Sequence, residues 1–334
     1  MKKKAILFRC DANNVIGIGH LVRCLLLANK FCLQNWQVHV ACSSEAKAYQ
    51  IEWAHKEITF SYGQESLISY ELYDMVVMDG YHFNNIDYAK IKKISNSLCI
   101  IDDLANREYE ADILVDPSLG RSSSQYLDRV NNECLILSGS KFAIVNPEYV
   151  ALKEQAILKR KNTHLVQNVI ICLGGGDQSL ILQHILLLLN DLHFNFYVCM
   201  KEKSPFLLEL PLNSQKFHFL YNEDIARIML SCDIGIISGG MLTYEACVLG
   251  LPSIIYPLNA HQQFHSLQLA NQGVALLCEQ NEISPALTTL AKNRVHWHDM
   301  SNKAMDCVDG LGIDRIYKNI DEHVTQSKKA LHNC

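Results

Sequence analysis

A histidine set between a glycine turn and a helix start is the residue of this sequence best placed to do chemistry. The loop that carries it reads Arg9-Cys-Asp-Ala-Asn-Asn-Val-Ile-Gly-Ile-Gly-His20. Gly17 and Gly19 let the backbone turn tightly and approach a ligand. His20 then falls at a helix N-terminus, where the positive end of the dipole disfavours imidazolium and keeps the ring neutral. A neutral imidazole is a competent general base. The plain structural alternative is a tight turn with a capping histidine. The loop is not a dinucleotide fingerprint, because the third glycine is absent and Leu21 to Arg23 follow directly.

Two later loops have the composition of anion cradles. The first, Ile171-Cys-Leu-Gly-Gly-Gly-Asp177, puts Gly174, Gly175 and Gly176 at a strand terminus, where backbone N–H groups can face phosphate oxygens. The second runs from Ile237 to Ser253. There Ser238, Gly239 and Gly240 leave a helix N-terminus open for a diphosphate, Thr243 adds a hydroxyl donor, and Glu245, one turn in, can accept from both hydroxyls of a ribose. Asp79 and Tyr81 follow a buried strand and are expected to point at a sugar, with Asp102 and Asp103 doing likewise or merely forming turns. His261 and Gln262 open a helix after Pro257 and read as polar sugar or phosphate contacts. His265 shares a helix face with His261, but no third ligand accompanies them, so no metal site is expected.

The elements that must position these residues follow one grammar: apolar runs of four to six residues alternate with longer stretches of helical period, as parallel strands alternate with crossover helices. Strands are expected at Ala5 to Phe8, Val38 to Ala41, Met75 to Met78, Leu98 to Ile101 and Ile113 to Val115, with a helix from about His20 to Leu33. After a charged helical segment, Val150 to Asn162, the pattern restarts with strands at Asn168 to Leu173, Phe196 to Met200, Phe217 to Leu220, Ile234 to Ile237 and Ser253 to Tyr256. Helices are expected near Glu223 to Ser231, Leu242 to Leu249 and Ala260 to Gln272. The expected architecture is α/β with two doubly wound parallel sheets: a Rossmann-like domain over 1–155, a second over 156–320, facing each other across a cleft, and a polar, frayed tail over 321–334. In open α/β sheets ligands lie beyond the carboxyl ends of strands, which is where every loop singled out above falls.

Composition bounds the partners. The 334 residues suffice for about two domains, and a hydrophobic content of 49% fills two cores. A formal net charge of -5 gives no global positive field for nucleic acid or an anionic membrane. The first residues lack the apolar core of a signal peptide, and the longest apolar stretch, Leu180 to Leu189, is too short to span a bilayer. Thirteen cysteines, an odd number without metal-ligand spacing, suit a reducing cytoplasm.

Taken together, Ile16-Gly-Ile-Gly-His-Leu-Val-Arg-Cys-Leu25, Asp79-Gly-Tyr81, Ile101-Asp-Asp-Leu-Ala105, Leu114-Val-Asp-Pro117, Gly174 to Asp177 and Ser238 to Ser253 resemble the pseudaminic acid pathway hydrolases, which cleave a UDP-linked diacetamido trideoxy sugar into UDP and free sugar. The second half is similar to the donor domain of GT-B glycosyltransferases that add N-acetylglucosamine to lipid. Two departures are visible: His261-Gln262 stands where the hydrolases commonly show Asn-Gln, and Gly80 where a histidine usually follows the strand aspartate. The resemblance implies that His20 is the base and Tyr81 the cleft tyrosine; Gly17, Gly19, Arg23, Asp79 and the glycine loop from Gly174 through Asp177 are read as substrate contacts. The implied reaction is metal-free, needs no cofactor, inverts the anomeric carbon and yields UDP. A nucleoside diphosphate departs without protonation, so one base and an anion cradle suffice, whereas an ordinary glycoside needs an acid as well. A glycosyltransferase using a UDP-sugar donor and a non-catalytic nucleotide-sugar-binding protein are the alternatives. Oligomeric state is not legible.

Overall fold

Runs such as Ile6 to Phe8, Val76 to Met78 and Val169 to Ile171 carry no polar face, which is what a strand covered by helices on both sides requires. In the computed structural model, which describes residues 3–13, 16–49, 53–63, 72–174, 178–200, 210–221 and 223–332, each becomes the centre of a parallel sheet. The chain divides into two units, Met1–Ile144 with Leu311–Cys334, and Val145–Gly310.

The first unit contains β1 (Ala5–Cys10), α1 (Gly19–Leu33), β2 (Gln37–Cys42), β3 (Thr59–Tyr62), β4 (Met75–Asp79), α2 (Asn85–Ile91), β5 (Leu98–Ile101), β6 (Ile113–Asp116) and β7 (Leu135–Ser138). Its seven-stranded sheet has the order β3-β2-β1-β4-β5-β6-β7, all pairs parallel. The direction of strand progression reverses between β1 and β4, so the loops leaving these two strands diverge and open a crevice at their carboxyl ends. Cys10 lies opposite Asp79 in that pair, which fixes the His20 loop beside the Asp79 loop. Leu7, Val76, Met78, Ile100 and Leu114 form part of the core beneath.

The second unit contains α3 (Pro147–Ala151), α4 (Lys153–Asn162), β8 (Asn168–Cys172), α5 (Ser179–Leu189), β9 (Asn195–Met200), β10 (Phe217–Tyr221), α6 (Ile225–Ser231), β11 (Ile234–Ile237), α7 (Leu242–Val248), β12 (Ser253–Ile255), α8 (Ala260–Asn271), β13 (Leu276–Leu277), α9 (Ile283–Lys292) and α10 (Arg294–Cys307). Its six strands run in the order β10-β9-β8-β11-β12-β13, again all parallel, and the reversal lies between β8 and β11. Both glycine loops leave strands at that point.

The last helix departs from expectation. Instead of a frayed polar tail, α11 runs Gly312–His332 and belongs to the first unit, so the first division of the chain falls at Ile144, before α3, rather than near residue 155. The reason is a buried stripe of Ile313, Ile316, Ile320 and Val324 at helical spacing. Tyr317 meets Phe31 of α1 edge-on at 5.1 Å, and Asp321 pairs with Lys4 at 2.7 Å. Among the described residues no helix is long and apolar enough to cross a membrane, and the twelve described cysteines are all free.

Candidate active site

His20 occupies the second position of α1, after a turn that Gly17 makes possible: its φ is +75°, and its N–H bonds Asn13 O at 2.9 Å. Gly17 and Gly19 are both solvent-exposed. The His20 residue is 6% exposed and its Nδ1 lies 2.7 Å from Asp79 Oδ1. Burial alone would raise the Asp79 carboxyl, but Arg23 and His20 outweigh it and hold the group well below the usual carboxylate range. Nδ1 lies 2.7 Å from Asp79 Oδ1 and 3.1 Å from Arg23 Nη2; at the shorter contact an ionised Asp79 can only accept, so Nδ1–H donates to it and the lone pair sits on Nε2. Nε2 makes no hydrogen bond to the described residues. The carboxylate also stabilises the charge the ring acquires on taking a proton.

Asp79 was expected to bind sugar; the structure corrects this. It is fully buried, with Oδ1 accepting from His20 and Arg23 Nη2 at 2.5 Å, and Oδ2 from Arg23 Nε at 2.5 Å and the Cys24 thiol at 3.7 Å. Arg23, read as a substrate contact, is committed to Asp79 and, through Nη1 at 2.9 Å, to Asp103 Oδ2. Tyr81 packs its ring edge-on against His20 with centroids 4.7 Å apart. Burial, then the neighbouring Asp103 carboxylate, push the Tyr81 phenol up. Asp102 is tied into its own turn through Leu104 N and Ala105 N and accepts the Tyr126 hydroxyl at 2.8 Å. Next to this site lies a second imidazole–carboxylate pair, His82 Nε2 with Asp11 Oδ2 at 2.9 Å, absent from the sequence reading.

In the second unit the two glycine loops lie together: a Cβ on Gly174, whose φ is +93°, would stand 3.6 Å from Ser238 Oγ. Gly175, Gly176 and Asp177 lie outside the described residues. Three of the expected ligand groups are already used by the protein. Gln262 Oε1 accepts from Gly239 N at 3.1 Å and Leu258 N at 2.8 Å, so the Gly239 amide is taken and Gln262 acts as a latch. Gly239 is demanded by packing, since a Cβ there would meet Ser266 Oγ at 2.3 Å. Thr243 is buried, its hydroxyl donated to Gly240 O at 2.7 Å. Ser238 is buried, and His261 is exposed at the start of α8. Among the described residues no group of three or more His, Cys, Asp or Glu side chains is placed to hold a metal ion.

Glu245 sits on α7 and is buried, with the Tyr149 hydroxyl of α3 bonded to it. Burial pushes its carboxyl up to about 7, against a smaller downward pull from Tyr149. Tyr149 escaped the sequence reading, because nothing local links positions so far apart.

Residues 199–306 match the glycosyltransferase family 28 C-terminal domain. An uncharacterised protein of Methanocaldococcus jannaschii is 29% identical over 272 residues, 76% of this chain but only 55% of that protein's length. The UDP-2,4-diacetamido-2,4,6-trideoxy-beta-L-altropyranose hydrolase of Campylobacter jejuni is 27% identical, over 80% of this chain and 97% of its own. Among solved structures, MurG of Acinetobacter baumannii superposes with a TM-score of 0.64 at 14% identity, covering 96% of this chain and 99% of that one, a likeness of fold. Two parallel α/β units and these likenesses show a GT-B fold, and the chain is similar in sequence to the Campylobacter hydrolase.

Proposed function

We propose that this protein hydrolyses the anomeric C–O bond of a UDP-linked diacetamido trideoxy sugar, releasing UDP and the free sugar with inversion, in nonulosonic acid biosynthesis of the pseudaminic type. The observation that carries this reading is the Asp79–His20 pair, with Nδ1 anchored and Nε2 left to take a proton. In the proposed step a water oxygen bonds to the anomeric carbon while its proton passes to His20 Nε2. The anomeric C–O bond breaks, and its electron pair leaves with the β-phosphate of UDP. Asp79 offsets the imidazolium charge. The relative's printed substrate supports the choice of sugar, and the twelve free thiols fit a reducing compartment.

A second reading, transfer of the sugar to an acceptor hydroxyl, is favoured by the glycosyltransferase domain match. Following UDP release with and without acceptor alcohols separates the two: release in buffer alone supports hydrolysis, and release only with acceptor supports transfer. Replacing His20 by Asn is expected to cut kcat at least 100-fold while UDP affinity stays within two-fold. Unchanged turnover in that variant would remove the imidazole from the reaction.

A further inference from the structure

We infer that Asp103 is a positioning residue for His20, acting along two arms that converge on the one imidazole. The inference rests on His20 being the base. Asp103 follows β5, and its side chain is only 10% exposed. Along the first arm Oδ2 accepts from Arg23 Nη1 at 2.9 Å, while the Nε and Nη2 side of the same guanidinium grips both oxygens of Asp79, which holds His20 Nδ1. Along the second arm Asp103 accepts the Tyr81 hydroxyl, and the Tyr81 ring stands at 83° to the His20 ring.

The result is a closed circuit: His20, Asp79, Arg23, Asp103, Tyr81 and back to His20. A guanidinium is planar, so fixing Nη1 at Asp103 fixes the plane in which Nε and Nη2 meet Asp79. His20 and Arg23 are three residues apart on α1 and so share a helix face, which makes the circuit short enough to be stiff. Asp103 is itself anchored, since its carbonyl accepts from Arg121 Nη2 at 3.2 Å. A base must keep its lone pair aimed to well within an ångström, and small misplacements at a catalytic group cost roughly 100-fold in rate.

The test pairs a readout that needs no turnover with one that does. In wild-type protein the Nδ1–H of the buried, 2.7 Å Asp79–His20 bond is expected as a proton resonance downfield of the amides, assigned by its loss in His20→Asn. In Asp103→Asn this resonance should shift or broaden away, and kcat for UDP release from the UDP-sugar should fall roughly 10–100-fold with UDP Kd unchanged. Tyr81→Phe, which removes one hydroxyl and keeps the ring, should lose less. The double variant should be no worse than Asp103→Asn alone. An unmoved resonance with unchanged kcat, or losses that simply add, overturns the assignment. If wild-type protein releases no UDP from any UDP-sugar, the proposed function fails, while the resonance still decides whether Asp103 holds the ring.

Discussion

Glu245→Gln is expected to make the protein more stable and to do so only as the pH rises. The Glu245 carboxyl is driven from its ordinary 4.5 to about 7 by burial, so the folded chain prefers it protonated. Below pH 4.5 both folded and unfolded chains carry the proton and nothing is lost. As pH climbs from 4.5 to 7 the unfolded chain ionises while the folded chain does not, and stability drains away until the loss is complete above 7. The full rise from 4.5 to about 7 is worth about 3 kcal/mol. Glutamine has the same shape, can still accept the Tyr149 hydroxyl and never ionises. The variant should therefore exceed wild type by about 1 kcal/mol at pH 5 and about 3 kcal/mol at pH 8. For the transition of the second unit that is on the order of 5–10 °C at the higher pH. Calorimetric melts of both proteins at the two pH values measure the difference directly, and comparing variant with parent cancels every other titrating group. The same substitution should weaken UDP binding at least 10-fold if the carboxylate receives the ribose hydroxyls. A stability gap that is flat between pH 5 and pH 8, or that favours wild type at pH 8, refutes the account of Glu245 as a carboxylate held against its own solvation.

Two further outcomes follow from the same geometry. Asp79→Asn keeps the size of the side chain but removes the charge opposite His20, and should lower kcat by about 100- to 10,000-fold with little change in UDP affinity; equal loss of both would mean that Asp79 serves binding. Gly239→Ala drives a methyl into Ser266 Oγ and Gln262, and urea denaturation should report a loss of about 1–3 kcal/mol, whereas an unmoved midpoint would show that the loop yields freely.

What the sequence made legible divides along physical lines. Interior strands such as β4 and β11 are buried at every position, so they read as uninterrupted apolar runs and lie where expected. β3, Thr59–Tyr62, is an edge strand of alternating character, and β13 is two residues long; neither carries enough pattern to be seen. The final helix was legible in the spacing of Ile313, Ile316, Ile320 and Val324, but its polar composition masked the stripe. His20 stands out because a glycine turn, a strand and a helix start are local signals. Its pairing with Asp79 does not, because Asp79 is 59 positions away and only the adjacency of β1 and β4 brings them together. Gln262 and Thr243 read as ligand groups for a related reason: a polar side chain near a glycine loop looks the same in sequence whether it faces solvent or ties the loop down.

The Gln262 latch has one consequence for how the second unit meets any guest. A single amide oxygen grips two backbone N–H groups, one on the loop after β11 and one just ahead of α8, while Ser266 and Gly239 leave no slack between them. The loop is thus set when the chain folds rather than when a molecule arrives. Its ordering entropy has already been spent, so the contacts of any group that docked there would count almost wholly toward affinity.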